Sequence, residues 1–278
     1  MYVEASNMYE AWVEVNNRFV DLQAVDGMLM SSRDYTRVYW PIRLHVSGGF
    51  GFDNSTYNEL PGFYANYENR IKLLSKRYID LDLWEEGIAR IKAREKRMSI
   101  RNPLSFVLQF HRRATNERKV PAGGGCLTQL TFVWYQNLWH LHVSLRASEI
   151  TAALMGDIAF VQWLVEMVKS KVRLKNWDDD SLEIVWDISL ASQMKSIIPL
   201  FLLYTRGDLG TLEKLYCDPK TCDPWFADVV EHFWETFIHI ERVTWHRRQR
   251  WTKRFLEATE VDWDVAYNKW RKEFRENL

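Results

Sequence analysis

The chain has 278 residues, 47% hydrophobic and 27% charged, enough to close one large core in a water-soluble globular protein. Lys plus Arg and Asp plus Glu are equal at 37, so no net field draws polyanions or acidic membranes, and no apolar run has the length of a membrane span. Three cysteines, an odd number, and the lack of a basic-then-apolar leader point to a reducing cytoplasm, while 14 tryptophans predict large packed surfaces, subunit contacts among them.

Met8, Trp12, Val15 and Phe19 recur at helical spacing and predict a first helix over about residues 6–20. Past Arg33 and Arg37, the residues Val38, Trp40, Ile42, Leu44 and Val46 alternate as a strand that Pro41 demotes to an edge or a bulge. The loop from Ser47 to Asn54 holds Gly48, Gly49 and Gly51 but no Gly-Lys-Ser/Thr, and reads as a flexible connector, not a phosphate loop. Helical patterns follow near 62–77, which contains Glu68, and near 80–97. Leu104, Phe106, Leu108 and Phe110 then alternate as a strand.

A polar loop leads through Gly123, Gly124 and Gly125 to Cys126. Leu130, Phe132 and Trp134 alternate up to a turn at Tyr135, Gln136 and Asn137. Trp139, Leu141, Val143 and Leu145 return with His140, His142 and Ser144 on the other face, so the second strand delivers Arg146 to its carboxyl end on the polar side. From Asp157 the period becomes helical: Phe160, Leu164 and Val168 form one ridge beside Ile158, Val161 and Val165. Leu182 to Leu190 alternates as a further strand, and Ser192 to Tyr204, broken by Pro199, reads as two short helical pieces. Asp223 and Pro224 open a long helix to about Thr259, and a last helix covers about 261–276. The organisation is a single domain over 1–278 with a helical extension at about 223–278. The basic run His246, Arg247, Arg248, Arg250, Lys253 and Arg254 reads as a solvated helix face in a chain of zero net charge, not as a nucleic-acid surface.

Residue chemistry alone leaves alternatives open. Cys126 after three glycines is either a nucleophile that a substrate can approach closely or a small residue opening a strand. Arg146 is a planar fork for a phosphate or a salt-bridged surface residue. Asp157 reads as the cap of the helix it opens, worth about 1 kcal/mol. Cys217 and Cys222, in a Cys-x4-Cys loop without companion ligands, do not read as a metal site.

The order Cys126, then Arg146 twenty residues on, then Asp157 eleven further, resembles the thymidylate synthase superfamily over about residues 95–200. The family's Arg-Ser-x-Asp tetrad is here Arg146-Ala147-Ser148-Glu149, and its Asn-Ile-Ala helix start is Asp157-Ile158-Ala159. The resemblance implies an α+β fold of three layers with a large mixed sheet covered by helices, a homodimer packed through sheet faces, and a pyrimidine nucleoside monophosphate as substrate. It implies 5,10-methylenetetrahydrofolate as cofactor. Cys126 would add to carbon 6 of the base and Arg146 would hold the phosphate, joined by Arg33 or Arg37 and by an arginine of the partner subunit. Arg101 suits the last role by strand order, although Arg112-Arg113 is the literal pair. Aspartate in place of asparagine at 157 matches the cytidylate and deoxycytidylate hydroxymethylase branch, where a carboxyl group serves cytosine's N3 and amine.

Ala147, Ser148 and Ser189 would line the phosphate and sugar. Ala147 replaces the family's serine, and Ser189-Leu190-Ala191 stands where many members have His-x-Tyr. Gly125 and Leu127 replace the proline and histidine around the nucleophile, and Glu68 is the candidate for the catalytic Glu of the folate side. The implied activity is 5-hydroxymethylation of CMP or dCMP. The alternatives are C5 methylation of dUMP or dCMP, hydroxymethylation of uracil, and a non-catalytic relative that binds nucleotide or has a structural role.

Overall fold

The alternating runs pair into a six-stranded mixed sheet and a smaller four-stranded one. The computed structural model describes residues 1–26, 30–32, 35–38, 41–52, 67–95, 104–110, 126–151, 153–194 and 262–275. In chain order these form β1 (Tyr2–Ala5), α1 (Met8–Asp26), β2 (Met30–Ser32), β3 (Tyr35–Val38), β4 (Ile42–Val46), α2 (Tyr67–Tyr78), α3 (Leu81–Glu95) and β5 (Leu104–Gln109). They continue with β6 (Leu127–Tyr135), β7 (Leu138–Leu145), β8 (Ser148–Glu149), α4 (Ala153–Lys171), β9 (Glu183–Ile188), β10 (Ala191–Met194) and α5 (Trp263–Arg275).

The large sheet runs β1-β4-β9-β7-β6-β5, with β1 parallel to β4 and β7 parallel to β9. The small sheet runs β2-β3-β10-β8. This is the expected α+β architecture, a large mixed sheet covered by helices. Period-two alternation explains the large sheet: Leu44, Trp186, Val143, Leu130 and Leu108 turn to one buried face, while His45, His142, Asp187 and Val107 turn to the other. The β6–β7 hairpin closes through Gln136 and Asn137 at φ 51° and 64°, the two left-handed residues of a tight hairpin turn.

Several of the described tryptophans pack inside the chain. Trp12, Trp139 and Trp186 are fully buried, and Trp139 meets Trp134 and Trp177 at ring distances of 5.4 and 5.5 Å. Trp270 of α5 also joins the core.

Three expectations change. Pro41 does not mark an edge: it separates β3, in the small sheet, from β4, which lies between β1 and β9 in the large one. The stretch from Ser192 begins as strand β10 rather than helix, because it pairs with both β3 and β8. The Gly48–Phe52 connector is packed, with Phe50 and Phe52 buried. Gly49, at φ 72°, runs so close to the Asp179 carbonyl that a Cβ would lie 2.2 Å from its oxygen. The long helix expected from Asp223, the basic run, and Cys217 and Cys222 lie outside the described residues. No described helix is long and apolar enough to cross a membrane.

Candidate active site

The register of three neighbouring strands brings the first candidates together. Leu127 of β6 pairs with Leu145 of β7, which pairs with Ile188 of β9, so Cys126, Arg146 and Ser189 stand at one end of the sheet. Backbone bonds fix the alignment: Arg146 N–H donates to the Cys126 carbonyl at 2.8 Å, and Ser189 N–H to the Leu145 carbonyl at 3.0 Å. Arg146 and Ser189 are exposed, and Cys126 is half-buried. The pairing sets Cys126, at the start of its strand, across from Arg146 on the neighbouring one.

The chain then crosses the ends of β9 and β10 on its way into α4. Ser148 N–H donates to the Leu190 carbonyl at 2.9 Å, and Ile150 N–H to the Ser192 carbonyl at 2.8 Å. A buried polar cluster holds this crossing from behind. Asn16 Nδ2 donates to the Trp12 and Ile150 carbonyls, while Thr151 Oγ1 and Gln193 Nε2 both donate to Asn16 Oδ1 at 2.6 and 3.1 Å. Trp12 Nε1 donates to the Ile150 carbonyl as well. Each described member is satisfied, so the cluster fixes the loop between Arg146 and α4 rather than loosening it.

Asp157 does not open its helix. The first turn begins four residues earlier, at Ala153, and the carboxylate of Glu149 accepts the N–H groups of Thr151 and Ala153 at 3.0 Å each. Glu149, not Asp157, therefore accepts from the N–H groups at the approach to this helix. Asp157 lies inside α4, only 5% exposed, where Ser148 Oγ donates to its Oδ2 at 3.2 Å. A buried carboxyl group with no capping duty is an expensive feature to keep for stability alone. Glu149→Ala removes an acceptor from two N–H groups and is expected to lower stability by about 1–2 kcal/mol in urea denaturation, with Glu149→Gln, which keeps one oxygen, in between.

No protein-family model matches the chain, and neither does any curated protein. Among solved structures, thermostable thymidylate synthase A from Bacillus subtilis is similar over 71% of this chain and 83% of that one, at 8% identity and a TM-score of 0.41. A likeness of that degree says nothing about chemistry, which rests on this chain's own residues.

Other candidates are placed less directly. Arg37 stands on β3 opposite Ser192 of β10, and Ser192 faces Glu149 of β8, so one row of the small sheet leads from Arg37 to the start of α4. Ala147 is half-buried between Arg146 and Ser148. Arg33, Arg101, Arg112 and Arg113 lie outside the described residues. Glu68 is exposed on the first turn of α2.

The helix that carries Glu68 instead brings two residues the sequence reading passed over. Tyr78, buried at the end of α2, accepts a hydrogen bond from Cys126 N–H at 3.0 Å and stacks on Phe160 of α4 at 5.5 Å. Arg70 approaches Gly156, the residue before Asp157. In sequence, Tyr78 ends the apolar stripe Ile71, Leu74 and Tyr78 and reads as core; only its hydroxyl hints at a polar duty.

Proposed function

We propose that the chain is a C5 transferase of pyrimidine nucleoside monophosphates, specifically a CMP or dCMP 5-hydroxymethylase working through a cysteine adduct. Two observations support this reading: Cys126 and Arg146 pair through the backbone at one sheet end, and Ser148, two residues after Arg146, holds a buried, non-capping Asp157. Arg146 would take the phosphate through its bidentate fork, with Arg37 and Ser189 near the phosphate and sugar. Asp157 would take the base edge, its carboxyl group giving a proton to N3 and accepting from the amine.

In the first step the Cys126 thiolate forms a bond to carbon 6. The C5=C6 π pair moves onto carbon 5, the charge spreads toward N3, and the proton from Asp157 neutralises it there. Carbon 5 of the resulting adduct is electron-rich and reacts with a one-carbon electrophile. N3 returns its proton to Asp157; loss of the carbon 5 proton, replacement of the one-carbon unit's carrier by water and expulsion of the thiolate then give the hydroxymethyl group and restore the double bond. Tyr78, bonded to the Cys126 backbone, would fix the nucleophile during the attack.

The resemblance offers 5,10-methylenetetrahydrofolate as the donor, with Glu68 as its catalytic partner. Glu68 does not fit that task, because it is exposed and sits two positions from Arg70, which faces α4; residues two apart do not share a helix face. No step is therefore routed through the folate. The open face of the large sheet, with Tyr2, Val107 and Tyr135 about half-exposed, offers a seat for a second copy, and Arg101 is our choice for the arginine that copy would lend. The exposed Glu68 also favours a second reading, a nucleotide-binding relative without turnover.

Mass spectrometry of products separates the two. Incubation with methylenetetrahydrofolate should add one hydroxymethyl group to CMP or dCMP and leave dUMP unchanged. Tight CMP binding with unchanged nucleotide would establish the non-catalytic reading. Modification of dUMP in preference to both cytidine nucleotides would contradict the role given to Asp157.

A further inference from the structure

The face of the large sheet opposite the buried one carries a row of ionisable side chains in contact across four strands. Tyr2 Oη donates to Glu4 Oε1 at 2.7 Å, both on β1, and lies 3.3 Å from Nδ1 of His45 on β4. His45 Nε2 lies 3.0 Å from Oε2 of Glu183 on β9, and Nδ1 of His140 on β7 lies 3.7 Å from the same oxygen. His45 and Glu183 are half-buried, while Tyr2 and Glu4 are exposed on the edge strand. None of these groups takes part in the mechanism above.

The row is one hydrogen short. Three links join Glu4, Tyr2, His45 and Glu183, and each needs a hydrogen between its two heavy atoms. The phenol supplies one, a neutral imidazole supplies one, and ionised carboxylates supply none. With Tyr2 donating to Glu4, His45 must donate from Nδ1 to the Tyr2 oxygen and from Nε2 to Glu183, which takes an imidazolium. Placing the extra proton on Glu183 instead leaves the count unchanged. The hydrogen bond to Glu4 holds the Tyr2 phenol above its ordinary value, so Tyr2 keeps its hydrogen. His140 calls for no second proton, because it stands beyond hydrogen-bond reach of Glu183 and its Nε2 is buried without a partner. The other ionisable groups on this part of the face are Arg43, paired with Asp187 at 2.7 Å, and His142. Desolvation holds His142 below its ordinary value; Asp187 opposes this, and His140, Arg43 and His45 reinforce it.

We propose that Glu4, Tyr2, His45 and Glu183 form a proton-binding site that pins the edge strand β1 to the sheet, closed with the proton bound and open without it. The proton comes from solvent and enters at the imidazole, the side chain whose charge changes between about pH 5 and 8. A proton that binds the closed form in preference to the open one stabilises it, so the pin is formed at the acid end of that range and lost as pH rises. Without the proton one link sets lone pair against lone pair, and the exposed Tyr2 side chain is the part that lets go. β1 leads directly into α1, whose Trp12 and Asn16 hold the Ile150 carbonyl behind the candidate site. The pin stands whether or not the nucleotide reading does.

Hydrogen exchange of the full-length chain, read by peptide mass spectrometry at about pH 8 and about pH 5.5, tests the pin. Rates are corrected for intrinsic exchange at each pH, and β5, the opposite edge strand, is the reference. Protection of β1 relative to β5 should rise at least about threefold at the lower pH in the wild type. Tyr2→Phe deletes the link to β1 and His45→Gln deletes the base, so each should abolish the rise, while His142→Gln should keep it. If one of the first two variants does not fold, the other decides. A flat wild-type ratio overturns the proposal, and so does a rise that survives in folded Tyr2→Phe or His45→Gln. A rise that disappears on about tenfold dilution also overturns it, since association of copies would then be protecting β1.

Discussion

Replacing Cys126 with serine is expected to reduce turnover of the cytidine nucleotide at least about a thousandfold, roughly 4 kcal/mol of transition-state stabilisation, while nucleotide binding stays near the wild-type value. The separation follows from the geometry. Cys126 meets its neighbours through the backbone: its N–H goes to Tyr78, and its carbonyl accepts from Arg146. Serine keeps both bonds, so the strand end and the guanidinium beside it stay in place. What changes is the nucleophile, because an alcohol is far less ionised than a thiol and adds poorly to carbon 6. Steady-state kinetics with a parallel binding titration checks both halves. Loss of binding together with turnover would mean that Cys126 supports the site's shape instead of its chemistry.

The second large effect is on base choice. Asp157→Asn should shift the kcat/KM ratio toward the uracil nucleotide by at least about tenfold, roughly 1.4 kcal/mol of differential transition-state binding. Uracil presents an N3–H and a carbonyl where cytosine presents an acceptor and an amine, and an amide can meet both uracil groups. The structure makes this substitution cleaner than it looks from the sequence, since Glu149, not Asp157, satisfies the start of α4. Asparagine also keeps an oxygen for the Ser148 hydroxyl, so stability should change by less than about 1 kcal/mol. An unchanged ratio in a folded variant would remove Asp157 from base recognition.

The strands were legible because each buries one face. Trp139, Leu141, Val143 and Leu145 alternate against polar neighbours, and that period alone places Arg146 at a strand end. The true start of α4 was not legible for the opposite reason. Leu154 to Val161 are all buried, so the first half of the helix has no polar face and no amphipathic period to reveal it. The first charged residue within it, Asp157, then resembles a cap. Pro41 misled in another way: its punctuation separates two strands of different sheets, a division that only the pairing partners Ser192 and Ile188 disclose.

Tyr78 and Arg70 depend on contacts across long stretches of chain. Tyr78 reaches the backbone of Cys126 48 residues away, and Arg70 meets a glycine whose missing side chain is the relevant feature. No local pattern encodes either. Cys126, Arg146 and Asp157 stood out because their spacing resembles a known family, while the buried network of Asn16, Thr151 and Gln193 that supports them carries no spacing signal at all.

The most direct test of the central claim, thiolate addition from Cys126 to carbon 6, is peptide mass spectrometry after incubation with a 5-fluorinated cytidine monophosphate and methylenetetrahydrofolate. Fluorine at carbon 5 cannot leave as a proton does, so the reaction should stop with the nucleotide covalently attached. The account predicts that the added mass lies on the Cys126 peptide and is absent from Cys126→Ser. Turnover of CMP by a Cys126→Ala variant, or an adduct on any other residue, would contradict it.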